Sequence, residues 1–320
     1  AILKLAKRAG IETNIVLPSD ESIQDAKFKN EFDILEFAKG FYHYYLNHTK
    51  EGKVALDYLH NRGMSDETVA KFGIGLAPSY SDALVKTLAN NRYSLDVAMK
   101  LGLLNEHNGQ YYDRFKSRIM FPIFDKIGHV VGFSGRVFLE GDTHLGKYVN
   151  SPESPIFQKG KLIYHLNDAK LAIRRHNRVL LFEGFLDVIS AVEAGFVESV
   201  ATMGTALTED HSRELRRLTD QIILCFDGDK AGLAAANKAI PILMAQNFSV
   251  SVVEIPNKMD PDEFIKTHGK EAFSKLIDQA IPAVDYQYRY IKRQFNLEFV
   301  SHREQFKRQI YHFAYTLQSH

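Results

Sequence analysis

Between Val179 and Ile255 the sequence repeats one rhythm. Short apolar runs, VLLF (179–182), SVATM (199–203), QIILCF (221–226) and SVSVVEI (249–255), are separated by LDVISAVEAG, TEDHSRELRRL and AGLAAANKAI, each with apolar residues at helical spacing. Strands alternating with helices of about ten residues call for a parallel sheet with helices on its faces, because a parallel crossover needs a helix-length connection. This pattern predicts one α/β domain. Pro241, inside the last helical run, is expected to end or kink it, since proline removes an intrahelical hydrogen bond.

The flanks read differently. From Phe28 to Gly102 the periodicity is helical, as in FDILEFAKGFYHYYLN and VALDYLHNRG. From Gln110 to Phe138 the apolar runs RIMFPIF and HVVGFSGRVF flank Asp125-Lys126-Ile127-Gly128, a hairpin signal. Pro122 in the first run predicts an edge or a bulge, because proline cannot donate to a ladder. After Asp262 the chain turns amphipathic and aromatic and is expected to form helices of a further, incomplete unit. The length of 320 residues suits about two domains, and a start in mid-helix with no closing signal is read as an excised core of something longer.

One cysteine, Cys225, excludes a disulfide framework and a Cys-rich zinc module in these residues, and its place in an apolar run predicts packing. No apolar stretch approaches the roughly 18 residues needed to span a bilayer, so the expected location is the cytoplasm. There is neither a GxxxxGK[ST] loop nor a GxGxxG turn, which argues against P-loop and dinucleotide-binding folds.

Charge is partitioned although the formal net is only +1. Gly109 to Arg178 carries 12 Lys/Arg against 6 Asp/Glu; Val179 to Lys270 carries 8 against 14. The acids fall where ligands gather in α/β sheets, beyond the carboxyl ends of strands. Glu183 follows the first strand with Asp187 four residues on, Asp227 and Asp229 follow the third, and Asp260 and Asp262 follow the fourth. Each has a bland reading as a turn or helix cap. Gathered at one sheet edge, however, they would repel by several kcal/mol, since unit charges about 4 Å apart interact at roughly 4 kcal/mol for an effective dielectric near 20. All-oxygen ligation of this kind suits Mg²⁺ or Mn²⁺.

EGFLDVISAVEAG, MGTALT, CFDGDKAG and DPDEF, in that order, resemble the Toprim domain shared by bacterial primases, topoisomerases and some nucleases. YDRFKSRIMFPIFDKIGHVVGFSGRVF and KYVNSPESPIFQKGKLIYHL are similar to the basic half of bacterial replicative primases of the DnaG type, which decides among Toprim families. The resemblance implies an α/β and α+β multi-subdomain protein. Residues 1–27 would be a linker remnant, 28–158 a basic N-terminal α+β subdomain, 159–282 the Toprim metal-binding domain with its parallel sheet, and 283–320 part of a helical bundle.

It further implies Glu183, Asp227 and Asp229 as catalytic, with Asp187, Asp260 and Asp262 completing the metal-binding acids. Arg114, Arg118, Arg136, Lys147, Asn150, Lys159, Lys161 and Lys230 would handle nucleic acid or nucleotide. The implied activity is that of a DNA primase, a DNA-directed RNA polymerase joining ribonucleoside triphosphates into an RNA primer on single-stranded DNA by two-metal nucleotidyl transfer. Glu183 would ligate metal or accept the hydroxyl proton. The zinc-module cysteines and the region that docks the replicative helicase are missing from this sequence. A monomer is expected, and guanosine tetra- or pentaphosphate is expected to compete for the triphosphate site.

Two other readings remain at this point. DxD after a strand also occurs in hydrolases that attack through aspartate, which an aspartyl-phosphate on Asp227 would reveal; a non-catalytic nucleic-acid module would be indifferent to Mg²⁺ and Mn²⁺. Tyr42, Tyr44 and Tyr45 raise the question of a topoisomerase nucleophile, but their apolar helical setting favours packing. Tyr111, Tyr112, Phe115 and Phe133 could stack bases and are read as core, while His43, His129 and His211 lack metal-ligand spacing.

Overall fold

The computed structural model of the protein describes residues 26–139 and 146–318. All but the end of the linker expected at 1–27 lies outside the described residues. Among the described residues ten strands carry the architecture in two larger sheets, and a small hairpin, β2 (Leu104–His107) with β3 (Gln110–Asp113), stands apart from them.

The first sheet is antiparallel, β1 (Gly75–Ala77), β4 (Arg118–Phe124), β5 (Val130–Val137) and β6 (Tyr148–Asn150) in the order β1-β4-β5-β6. The turn between β4 and β5 forms because the Asp125 carboxylate accepts backbone N–H bonds from Ile127, Gly128 and His129 at 2.9, 2.8 and 2.9 Å. Pro122 pairs with Phe133 on β5, but β1 reaches only to Met120, so the proline's other side has no strand to donate to; the register also shifts at Ile123/Phe124. The edge-or-bulge expectation is met locally, within a strand that is interior overall.

The second sheet has the order β12-β11-β10-β8-β9-β7, with β7 (Ile163–Tyr164), β8 (Val179–Phe182), β9 (Ser199–Thr202), β10 (Gln221–Leu224), β11 (Ser249–Val252) and β12 (Ile281–Pro282). β8, β9, β10 and β11 are parallel; β7 and β12 are antiparallel edges. From β8 the chain goes first to one neighbour, β9, and then to the other, β10. Such a reversal opens a crevice beyond the carboxyl end of β8.

Helices cover both faces. On one, Phe182, Ile189, Phe264, Phe273 and Ile277 belong to an apolar cluster that continues through Phe157 and Phe121 to Leu46, so the two sheets share a core. At roughly 1.5–3 kcal/mol per buried large apolar side chain, this shared packing fixes the first sheet against the second. Helices Leu166–His176 and Lys230–Met244 cover the other face through Ile173, Ala236 and Ile240.

Three expectations need correction. The stretch read as purely helical, 28–102, contributes strand β1, too short to show a period. Pro241 neither ends nor kinks helix Lys230–Met244; it sits exposed in the last turns, where water can reach the carbonyl it leaves free. The chain after Asp262 also splits: helix Pro261–Asp278 packs on helix Phe185–Glu193 and β12 closes the central sheet before helices Ala283–Lys292 and Val300–Gln318 begin. No helix among the described residues is long and apolar enough to cross a membrane.

Candidate active site

Strand β8 is buried along its whole length, so Glu183 is the first side chain free to leave the sheet. It leans toward the end of β10, where its Oε1 accepts the backbone N–H of Asp227 at 3.2 Å. Asp187, in the first turn of helix Phe185–Glu193, is 8% exposed and accepts the backbone N–H of Asp262 through Oδ1 at 3.1 Å. Asp229 and Asp260 are N-caps, accepting from Gly232 N at 2.8 Å and Glu263 N at 2.6 Å. Asp262 is buried; its Oδ2 meets Arg62 Nη2 at 2.7 Å, and its Oδ1 meets Lys266 and the Ser190 hydroxyl.

Glu183, Asp187, Asp227, Asp260 and Asp262 line one side of a cavity of about 410 Å³; Arg62, Arg136, Lys147, Tyr148 and Asn150 line it too. Asp229 is not in that lining, and its exposed side chain caps its own helix. The crowding is visible in proton affinity. Burial, then the charges of Asp260 and Asp229, raise Asp227 to about 6. Burial and the Asp227 and Asp229 charges raise Glu183, and burial with Asp227, Asp260 and Asp262 raises Asp187 well above the ordinary carboxylate range.

Among the described residues no three His, Cys, Asp or Glu are gathered tightly enough to enclose an ion by themselves. The donor set nonetheless fits a hard divalent cation, because Mg²⁺ is commonly held by one or two carboxylates with substrate phosphates and water completing its shell. Proton-hungry carboxylates are also those that gain most from a nearby cation.

Residues 41–170 match the DNA primase catalytic core, N-terminal domain, and residues 180–265 match the Toprim-like family. The chain is 44% identical over 304 residues to DNA primase from Geobacillus stearothermophilus, covering 93% of this chain and 50% of that protein. It superposes on the E. coli primase catalytic core with a TM-score of 0.76 at 35% identity, covering 86% of this chain and 88% of that one. A DnaG primase catalytic domain bound to ssDNA gives a TM-score of 0.77 at 35% identity, with 87% of each chain covered. The chain belongs to the DnaG primase catalytic-core family. It spans about half the length of the DNA primases it matches.

Within this DnaG-type core the predicted basic residues divide. Arg136 is 7% exposed and lies over the Tyr148 ring, 5.2 Å from its centroid, while donating to the Tyr148 hydroxyl. Arg114 braces β6 from behind, Nη2 to Asn150 O at 3.4 Å. Arg118 is 3% exposed and its Nη1 donates to the carbonyls of Gly135 and Gly146, both at 3.1 Å. Lys159 and Lys161 sit on the loop before β7, outside the acidic cavity, and Lys230 is exposed at the start of its helix.

Sequence reasoning missed Arg62, Ser190, Lys266 and Tyr148. Lys266 was findable, four residues after Asp262 on one helix face. Arg62 was not, because 200 residues separate it from Asp262. Of the aromatics read as core, Phe115 and Phe133 are buried but Tyr111 and Tyr112 are only half-buried; Tyr42 and Cys225 are buried as packing, and the exposed Tyr44 stacks on the His48 ring at the surface.

Proposed function

We propose that the chain is the RNA polymerase core of a DNA primase, working in the cytoplasm, that joins ribonucleoside triphosphates into a short RNA primer on a single-stranded DNA template. One observation carries this reading: the cavity has carboxylates from the ends of β8 and β10 and from helix Pro261–Asp278 on one side, and cationic and amide side chains from β5 and β6 on the other. A polymerase needs that pairing, since a triphosphate must be gripped by cations while its α-phosphate meets a metal-loaded anionic surface. The template partner is supported by the ssDNA in a relative's structure.

Glu183, Asp187 and Asp227 are the proposed Mg²⁺ or Mn²⁺ holders, with Asp260 beside them. When bound, the cations would offset charge developing on the α-phosphate and the departing pyrophosphate. Asp229 fixes the DxD turn as a helix cap, and Asp262, saturated by Arg62, Lys266 and Ser190, orients Asp187 through its N–H. Glu183, with its raised proton affinity, is poised to accept the 3′-hydroxyl proton or to ligate. Arg136, Lys147 and Asn150 would hold triphosphate or template. Their backbone contacts predict affinity that falls steeply with salt.

The test is synthesis of short RNA from four ribonucleotides on single-stranded DNA with Mg²⁺ or Mn²⁺; a chain that binds DNA and both metals yet makes none would end this reading. The carboxylates also set a pH dependence. With Asp227 raised to about 6, protons compete with the cation as pH falls through that value. Mn²⁺ affinity measured by titration calorimetry is therefore expected to drop by about fourfold between pH 7.5 and 5.5 from Asp227 alone. Equal affinity at the two values would remove Asp227 from the holders.

A further inference from the structure

His211 has no part in the chemistry above, yet it is fully buried where helix Glu209–Arg216 of the central domain meets the loop carrying Lys159 and Lys161. Its two ring nitrogens have partners with opposite demands. The backbone N–H of Thr208 can only donate, and it points at Nδ1 at 3.3 Å; the carbonyl of Lys159 can only accept, and it lies 3.0 Å from Nε2. Together they fix the neutral ring with its proton on Nε2, and burial, lowering the imidazole's proton affinity, keeps it neutral. Thr208 completes the clasp. Its Oγ1 accepts the N–H of His211 at 3.2 Å and donates to the carbonyl of Gly160 at 2.7 Å.

Two consecutive carbonyls of the loop, Lys159 and Gly160, are thus held by one helix cap. This loop is the passage from β6 to β7, where the chain leaves the basic sheet for the central one. Between Lys159 and Lys161 the chain turns tightly, Lys161 N donating to Gln158 O at 2.9 Å, so fixing two carbonyls fixes where both lysine stems depart. Lys161 and Thr208 line the same open groove, which therefore runs along the clasp.

We propose that His211 and Thr208 are positioning residues for the template: they clamp the Lys159–Gly160 backbone so that Lys159 and Lys161 meet the phosphates of single-stranded DNA as one preset cationic edge. This rests on the reading of the chain as a primase core and of these lysines as template contacts. Preset cations bind a flexible strand better than wandering ones, because less side-chain and loop freedom is lost on association. The clasp touches no reacting atom. It should act on template affinity and leave turnover alone.

The experiment compares His211→Leu, which removes both ring contacts, with His211→Gln, whose amide can still donate to the Lys159 carbonyl. Thr208→Val, which loses the hydroxyl, is a second route to the same opening. Fluorescence anisotropy with labelled oligo-dT and primer synthesis at saturating template are read together, with the thermal midpoint as a folding check. The expected result is a Kd for oligo-dT raised about five- to tenfold in His211→Leu and Thr208→Val, kcat within about twofold, and near wild-type affinity in His211→Gln. In a Lys159→Ala/Lys161→Ala background, His211→Leu should add nothing.

Wild-type affinity in both His211→Leu and Thr208→Val overturns the proposal, as does a fall in kcat with Kd unchanged. If the lysine pair itself can be removed without loss of affinity, the proposal fails because its lysines are not template contacts, while the primase reading stands on the synthesis assay. Should His211→Leu not fold, Thr208→Val and His211→Gln decide between the same outcomes.

Discussion

Glu183→Gln and Asp227→Asn are each expected to lower primer synthesis by about 10³-fold, the scale on which preorganised charge stabilisation is lost when one member is removed. Without divalent metal, the same variants should be at least as stable as the wild type. The sign follows from the crowding. A carboxylate whose proton affinity is raised in the folded state contributes stability that is fully present below the ordinary carboxylate range, near 4, and is lost as pH rises through its folded value. For Asp227 that value is about 6, so at pH 7.5 the folded chain carries the whole penalty. Asparagine keeps the shape without the charge.

In EDTA at pH 7.5 the thermal midpoint of Asp227→Asn should therefore exceed the wild type's, and the gap should narrow as pH falls through about 6 and close only below about 4. Millimolar Mg²⁺ should raise the wild-type midpoint and leave the variant's nearly still, because only a state that binds the ion is stabilised by it. An Asp227→Asn protein that melts well below the wild type in EDTA at pH 7.5 would mean the carboxylate is structural, and the assignment of the acidic wall would fall with it.

How far the site was legible in the sequence follows from how each part is built. The strand-helix rhythm announces a parallel sheet, and residues just past strand ends must lie at one edge of it, so Glu183 and Asp227 could be placed beside each other from spacing alone. Asp229 and Asp260 show the limit of that logic. Each obeys the same positional rule, but a short acidic side chain before a helix is also its best cap, and both are caps here. Arg118 marks a different limit: a charge at the start of an apolar run reads as surface, whereas its buried guanidinium satisfies the carbonyls of Gly135 and Gly146. Arg62 comes from a helix end far away in sequence, and only the apolar core shared by the two sheets brings it to Asp262. Tertiary packing of this kind leaves no local signature.

Gly228→Ala tests whether the position of the acids, apart from their charge, sets the rate. Gly228 lies between Asp227 and Asp229, and its N–H donates to Met259 O at 2.9 Å, joining the DxD turn to the segment that leads into Asp260. A methyl group added there would stand 2.4 Å from the carbonyl oxygen of Ile255 and 3.1 Å from that of Met259. Neither neighbour is a side chain that can swing aside. The turn and the 255–259 segment must separate by something on the order of 1 Å, and a displacement of that size at a reacting centre costs about a hundredfold. The expected outcome is kcat for primer synthesis lowered about 10²-fold, with oligo-dT affinity within about threefold because the cationic wall is untouched. Gly40→Ala supplies the contrast. That glycine is exposed within helix Lys29–His48 with nothing within 4 Å of an added methyl, so the substitution should stabilise by roughly 0.5–1 kcal/mol and leave activity alone. Turnover by Gly228→Ala within threefold of wild type would show that the carboxylates tolerate separation, and the catalytic role of their spacing would have to be abandoned.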